Sequence, residues 1–215
     1  MLLNLGDLRE NYDRGKLLES QAAADPFQQF TLWFREAEEA KIPEPNAMIL
    51  ATSTGDGRPS ARVVLLKGVE EHGFVFYTNY ASRKGQEIAE NPHVALVFNW
   101  LELHRQIRIE GLIEKVDADT STAYFQSRPK GSQIGAWASP QSRPISSREL
   151  LKEKVQELEK QYHEADHLPR PAHWGGYRVM PYTLEFWQGR TSRLHDRLLY
   201  SLEDGGKWKV ERLAP

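Results

Sequence analysis

The sequence predicts a mainly β domain with flanking helices, its antiparallel strands forming a barrel. Three observations carry this. Short β-branched or aromatic runs recur through the middle and again near the end of the chain. Glycine, asparagine or proline punctuates them at turn spacing. Helical periodicity is confined to a few segments. A length of 215 residues suits one domain, or one domain with a small appendage.

Residues 1–24 read as a polar arm with a helical stretch around Leu8–Leu18, and 25–215 as the domain proper. Asp25-Pro26 looks like an N-cap followed by proline at the first helical position. Phe27, Phe30, Trp33, Phe34 and Ala37 follow at helical spacing, giving a helix over 26–40 that Pro43 and Pro45 end. Strands are expected at Ala47–Ser53, Ala61–Lys67, Phe74–Asn79, Val94–Trp100 and Gln106–Val116. Gly55-Asp56-Gly57 reads as a turn between the first two. Ser82–Glu90 is a short helix stopped by Asn91-Pro92, and Asp117–Ser127 another, closed by Arg128-Pro129 because the residue before proline resists helical geometry. Ser146-Ser147-Arg148-Glu149 reads as a capping box opening a helix to about Ala165. Tyr177–Val179, Thr183–Gln188, Leu198–Leu202 and Trp208–Leu213 are late strands.

Composition narrows the function. Hydrophobic residues make up 40% and charged residues 27%, ordinary values for a packed domain. A net charge of −2, with neither half strongly basic, does not favour nucleic acid or an anionic membrane as the main partner. The absence of cysteine rules out disulfides, thiolate metal sites and cysteine nucleophiles. Met-Leu-Leu-Asn-Leu-Gly-Asp carries acid where a signal peptide needs a basic flank, and no apolar run approaches the ~20 residues of a membrane span. A soluble, cytoplasmic protein is expected.

Several familiar motifs fail. Gly55-Asp56-Gly57 has Ser60 in place of the third glycine of a dinucleotide fingerprint and lies between two strands, as a hairpin turn does. There is no phosphate-binding P-loop and no nucleophile elbow. His163-Glu164-Ala165-Asp166-His167 matches H-E-x-x-H, but it falls at the frayed end of a charged helix, just before Leu168-Pro169. A solvated helix end, not a metal site, is the expectation.

Cations gather around strands and turns. Arg62 and Lys67 bracket Val63-Val64-Leu65-Leu66, on opposite faces of a regular strand. Tyr77-Thr78-Asn79 leads to Ser82-Arg83-Lys84 at a helix start, a good place for a phosphate. Tyr124 and Arg128 share a helix face, and Ser132 follows in a glycine-containing loop, where a second phosphate would fit. Surface ion pairing and tyrosine packing account for the same pattern. Arg193-Leu194-His195-Asp196-Arg197 is a dense polar run after Trp187-Gln188-Gly189. It suits a loop over a ligand, although a lone histidine is more often structural or solvated.

These residues, in this order, resemble the pyridoxine 5′-phosphate oxidase family. The matching stretches include Arg62-Val-Val-Leu-Leu-Lys67, Phe74-Val-Phe-Tyr-Thr-Asn79, Tyr124-Phe-Gln-Ser-Arg-Pro129, Ser132-Gln-Ile-Gly-Ala-Trp137, Trp174-Gly-Gly176, Glu185-Phe-Trp-Gln-Gly189 and Arg193-Leu-His-Asp-Arg197. Arg105-Gln106, Gln141-Ser142 and the terminal Arg212-Leu-Ala-Pro215 match as well. The resemblance implies an FMN-binding split β-barrel of Greek-key, antiparallel type, with FMN at the interface of a homodimer. It implies that Arg62 and Lys84 hold the FMN phosphate, helped by Arg83 and Ser142. Val63, Val64, Leu65, Leu66, Lys67, Tyr77, Thr78, Gln106, Gln141, Trp187 and Arg197 would line the rest. Lys67, Tyr124, Arg128 and Ser132 would clamp the substrate phosphate. Arg193, Leu194 and His195 would face the pyridine ring, with Arg193 and His195 the catalytic candidates and Arg9 and Tyr12 closing over it. Glu44 stands where the best-known members have aspartate. The implied reaction is oxidation of pyridoxine or pyridoxamine 5′-phosphate by O2 to pyridoxal 5′-phosphate and hydrogen peroxide. A same-fold oxidase of phenazine precursors would not need the second phosphate clamp. A non-catalytic flavin- or haem-binding protein would not need Arg193 and His195.

Overall fold

The structure, a computed structural model, describes residues 11–70 and 73–215. The described elements are α1 (Pro26–Glu39), β1 (Ala47–Ser53), β2 (Pro59–Leu65), β3 (Gly68–Glu70), β4 (Gly73–Asn79), α2 (Arg83–Glu90), β5 (His93–Trp100), β6 (Arg105–Lys115), α3 (Ala118–Ser127), α4 (Lys130–Ala138), α5 (Arg148–Gln161), β7 (Trp174–Gln188), β8 (Asp196–Leu202) and β9 (Trp208–Arg212). The strands join in the order β2-β1-β5-β6-β7-β4-β3, with β8 on β7 and β9 on β8. The β3–β4, β4–β7, β7–β8 and β8–β9 pairs are antiparallel. A mainly β protein with flanking helices is therefore observed, as expected.

The chain divides into two compact units whose boundaries fall inside β1, β5, β6 and β7. The first comprises the described part of Met1–Ile49, with Ala95–Glu110 and Pro181–Pro215. Its core is aromatic. Phe30 of α1 meets Phe98 at 5.1 Å between ring centres, Trp33 meets Phe186 at 5.2 Å, and Phe186 meets Tyr200 at 5.4 Å. The Asp25 carboxylate accepts from Phe27 N and Gln28 N, and this fixes the start of α1 as the Asp-Pro pair predicted.

The second unit comprises Leu50–Val94 and Gly111–Met180. Phe74 and Phe76 of β4 are fully buried beside β7, where Phe76 pairs with Tyr177 in register. A helical cluster of Phe125, Ile134, Ala138, Leu158, Leu168 and Trp174 forms a second buried group. Glycine is required at 175, where a Cβ would lie 2.1 Å from the Tyr80 hydroxyl. The turn after β1 has Gly57 at φ 85°, in the left-handed region.

Some elements differ from expectation. Residues 11–18 are not helical, because side chains from elsewhere hold that backbone. Ser132 lies on α4 rather than in a loop. This helix is weak by composition, but it buries Gln133, Ile134 and Ala138. Ser147, not Ser146, caps α5, without a side-chain hydrogen bond, and α5 stops at Gln161. His163 and His167 both lie beyond it. The two expected strands at 177–179 and 183–188 are one strand, β7. It pairs with β4 through Trp174–Val179 and with β8 through Thr183–Gln188. Pro181, which has no N–H to donate, falls between the two registers.

Candidate functional site

The second unit gathers the predicted cofactor-phosphate residues. Ser82 caps α2, its Oγ accepting from Gly85 N, and so presents Arg83 and Lys84 in the first turn. The Lys84 ammonium is buried. It donates to Gln141 Oε1 at 2.8 Å, Thr78 Oγ1 at 3.2 Å and Ser82 Oγ at 3.4 Å. All three acceptors are neutral. Burial, with a contribution from the Arg62 charge, lowers the Lys84 ammonium to about 8. Arg62 projects from β2 and donates through Nη1 to Thr52 Oγ1 at 2.6 Å and Leu50 O at 3.2 Å. Its Nη2 donates to Ser60 Oγ and pairs with Glu87 Oε2 at 3.3 Å.

Glu87, absent from the sequence-derived site, organises these cations. Its carboxylate is almost fully buried and accepts from Thr52 Oγ1 and Ser60 Oγ as well as from Arg62 and Arg83. Burial would raise its carboxyl, but hydrogen bonds from Ser60, Thr52 and Arg83 outweigh it and hold the group at about 2. Arg83 Nε lies 2.8 Å from Glu87 Oε1 in an i,i+4 pair, and the Arg83 side chain is otherwise exposed. The Arg83–Glu87 spacing was the available signal. Ser142, exposed beside Gln141, adopts φ 69°, an uncommon backbone state for serine.

A second group forms on an aromatic platform. Tyr77 of β4 stacks on Tyr124 of α3 at 3.8 Å and on Trp174 at 5.6 Å. The Arg128 guanidinium lies over Trp174 at 4.7 Å. Arg128 is not on the helix face with Tyr124. It is the C-cap of α3 with extended backbone, φ −76° and ψ 150°, set by the following proline. Trp174 brings the two together instead. Arg128 Nη1 is buried with no hydrogen-bond partner among the described residues. Burial lowers its affinity for the proton, and among the described residues no carboxylate pairs with it. Lys67 and Ser132 are exposed, and among the described residues no hydrogen bond joins either to Tyr124 or Arg128. Val63 is 66% exposed, Val64 and Leu65 are half-buried, and Leu66 is buried.

The first unit holds the third group. Tyr12 packs edge-on against His104 at 4.7 Å, His195 at 5.7 Å and Trp187 at 5.9 Å. Gly189 permits this, since a Cβ there would lie 2.9 Å from Tyr12. His195 Nδ1 accepts the Arg190 backbone N–H at 3.1 Å, which leaves the ring proton of the neutral form on Nε2. Burial, then the Arg193 charge, lowers the imidazole below its usual value. Ser192 and Arg193 have φ 57° and 61°, consecutive left-handed residues that turn the loop outward, with Arg193 and Leu194 exposed. Arg197 is committed to Glu185 through Nε at 2.8 Å and Nη2 at 3.1 Å. Gln106 is half-buried on β6. Glu44 has φ 46° and receives the Ala47 N–H on its carbonyl. Arg9 lies outside the described residues.

Comparison with known proteins agrees with this fold. A family model described as Pyridoxamine 5′-phosphate oxidase matches residues 34–162. One described as Pyridoxine 5′-phosphate oxidase C-terminal dimerisation region matches 174–215. A relative from Burkholderia vietnamiensis named pyridoxine/pyridoxamine 5′-phosphate oxidase is 58% identical over 216 residues, the full length of both chains. One of that name from Salinibacter ruber is 56% identical over 98% of this chain and 99% of its own. The solved structure of PhzG from Burkholderia lata 383, in complex with tetrahydrophenazine-1-carboxylic acid, has a TM-score of 0.86 and 33% identity. It covers 93% of this chain and 98% of PhzG. A pyridoxamine 5′-phosphate oxidase-related, FMN-binding protein from Nostoc punctiforme shares the fold, with a TM-score of 0.70 at 18% identity over 89% of this chain and 98% of its own. The expected split-barrel fold class is thus borne out, and the chain belongs to the pyridoxine/pyridoxamine 5′-phosphate oxidase family.

Proposed function

We propose that this protein oxidises pyridoxine or pyridoxamine 5′-phosphate with O2, using FMN, to give pyridoxal 5′-phosphate and hydrogen peroxide. The observation that carries the substrate assignment is Arg128. It is a half-buried cation on an aromatic floor, beside Tyr124, with a buried Nη1 that no described residue satisfies. A substrate phosphate supplies that anion, with the Tyr124 hydroxyl as a further donor. A phenazine precursor offers a carboxylate at most, with fewer acceptor oxygens and less charge than a phosphate.

The residues of the second unit fit FMN. A buried lysine held by neutral acceptors, with Arg62 and Arg83 nearby, suits one phosphate group. Bound there, FMN supplies the hydride-accepting and oxygen-reducing chemistry. The chain's own contribution is placement. Arg128 and Tyr124 hold the substrate phosphate, and Arg193 fixes the ring at the other end. His195, neutral with its proton on Nε2, donates a hydrogen bond to the substrate and does not act as a base. Trp187 and Tyr12 exclude water. For the alcohol, substrate and O2 give the aldehyde and peroxide. For the amine, one water enters and ammonia leaves.

Active sites are proposed to form in a homodimer, a reading supported by the match of 174–215 to a dimerisation region. No described helix is long and apolar enough to cross a membrane. A cytoplasmic location is proposed. The test is anaerobic mixing of flavin-loaded protein with pyridoxine 5′-phosphate, followed by air. Bleaching of the flavin, then stoichiometric pyridoxal 5′-phosphate and peroxide, is expected. Release of FAD on denaturation, or no bleaching, would refute the proposal.

A further inference from the structure

We propose that Arg212 is a positioning residue that clips the segment 15–19 in place and so sets Tyr12 against His195. This rests on the reading that His195 faces substrate.

Arg212, at the end of β9, spends its guanidinium on three groups. Nε and Nη2 donate to the two Glu19 carboxylate oxygens at 2.6 and 2.7 Å, a bidentate pair. Nη1 donates to Asp196 Oδ1 at 2.9 Å, and Nη2 also to Leu17 O at 2.9 Å. Asp196 completes the clip, its Oδ2 accepting the Leu17 N–H at 3.1 Å. Both backbone polar groups of Leu17 are therefore held by side chains of β8 and β9, while its own side chain is buried. A second cation, Arg190, donates to Gly15 O at 2.9 Å and pairs with Asp196 at 3.7 Å.

The geometry links the clip to the ring cluster. Gly15 lies three positions from Tyr12, so at ~3.3–3.6 Å per residue the tether allows Tyr12 a reach of only about 11 Å. Asp196 directly follows His195, and Arg190 N is the donor to His195 Nδ1. The same few residues thus hold the strap and the histidine it covers. Exposed ion pairs taken singly contribute little. This one is bidentate and joined to the less exposed Asp196, whose side chain is 17% exposed against 55% for Glu19.

The test compares flavin-loaded wild type, Arg212→Met and Glu19→Gln. The Leu17 amide is followed by hydrogen exchange and steady-state kinetics are measured with pyridoxine 5′-phosphate. Leu17 exchange should quicken at least tenfold in Arg212→Met and several-fold in Glu19→Gln, with the Phe186 amide in the core unchanged. KM should rise about three- to tenfold, with kcat within twofold and FMN content unaltered. Arg212→Lys, which keeps the charge but not the bidentate fork, should fall between. Unchanged Leu17 exchange in both variants would overturn the clip. Faster exchange with unchanged KM would overturn its role in positioning. Absence of oxidation by wild type would instead overturn the functional reading, on which the exchange measurement does not depend.

Discussion

Replacing Arg128 tests the substrate assignment most directly. The guanidinium lies 4.7 Å from the centre of the Trp174 ring, and its Nη1 is buried without a partner. A hydrogen bond to a charged group contributes about 1.5–3 kcal/mol, and each 1.4 kcal/mol is about tenfold in binding. Arg128→Ala should therefore lower kcat/KM for pyridoxine 5′-phosphate by roughly ten- to a few hundred-fold. Most of the loss should appear in KM, because the phosphate is remote from the reacting carbon and is held alike in ground and transition states. The cation–π contact with Trp174 contributes ~0.5–1 kcal/mol to the fold, but the unpaired Nη1 costs about 1–3 kcal/mol, so the unliganded variant should melt no lower than wild type. FMN content should not change, since other cations are proposed to hold that phosphate. The assay is steady-state kinetics of both proteins with the phosphorylated substrate and with unphosphorylated pyridoxine. Equal losses on the two would show that Arg128 only supports the platform and would refute the clamp.

Four further outcomes follow from the geometry. Lys84 titrates at about 8 without an anion and higher beside a phosphate dianion, so FMN binding takes up a proton above pH 8. Affinity should be level from pH 7 to 8 and then fall by up to about tenfold per pH unit, a step that Lys84→Met or the use of riboflavin removes in a fluorescence titration. His195 is held below its usual value, so the acid limb it contributes to kcat/KM should lie below ~6.5; a limb above that value, lost in His195→Ala, would contradict the assignment. Turnover should fall less in His195→Ala than in Arg193→Ala. Gly175→Ala forces a methyl to 2.1 Å from the Tyr80 hydroxyl, and calorimetry should show a loss of about 1–3 kcal/mol, or roughly 3–10 °C in Tm.

What could be read in the sequence was what local rules decide. The Asp25-Pro26 start of α1, the bounds of β1 and the Ser82 cap of α2 all follow from capping and alternation, and all are observed. Misreadings occurred where distant residues decide. The segment around 17 stays out of a helix because Asp196 and Arg212 take its backbone groups. Helix α4, with Gly131, Ser132 and Gly135, has poor intrinsic propensity and exists because Ile134 and Ala138 join the buried cluster. Pro181 disguised β7, since a proline demotes a strand unless it falls where no partner needs its N–H. In the site, motif order named the cations but not Glu87. Its burial depends on Thr52, Ser60 and Arg62, remote in sequence.

The two cation groups differ in a way that matches two different tasks. Lys84 is held by Thr78, Ser82 and Gln141, and Arg62 by Leu50 O, Thr52, Ser60 and Glu87, so their donors are oriented before any ligand arrives. Preorganisation of that kind lowers the cost of binding and favours a ligand that stays. Arg128 is supported by ring faces and leaves Nη1 unsatisfied, so the unliganded state carries the penalty of a buried polar atom, about 1–3 kcal/mol. A ligand that supplies the missing acceptor relieves that penalty, and one lacking it does not. Discrimination at such a site rests on an unpaired group and not on added attraction, which is how buried polar sites reject analogues most strongly. Tyr77 and Thr78 are neighbours on β4, and strand alternation sends one towards the aromatic platform and the other towards Lys84. A single strand therefore serves both the proposed cofactor site, suited to retention, and the proposed substrate site, suited to discrimination.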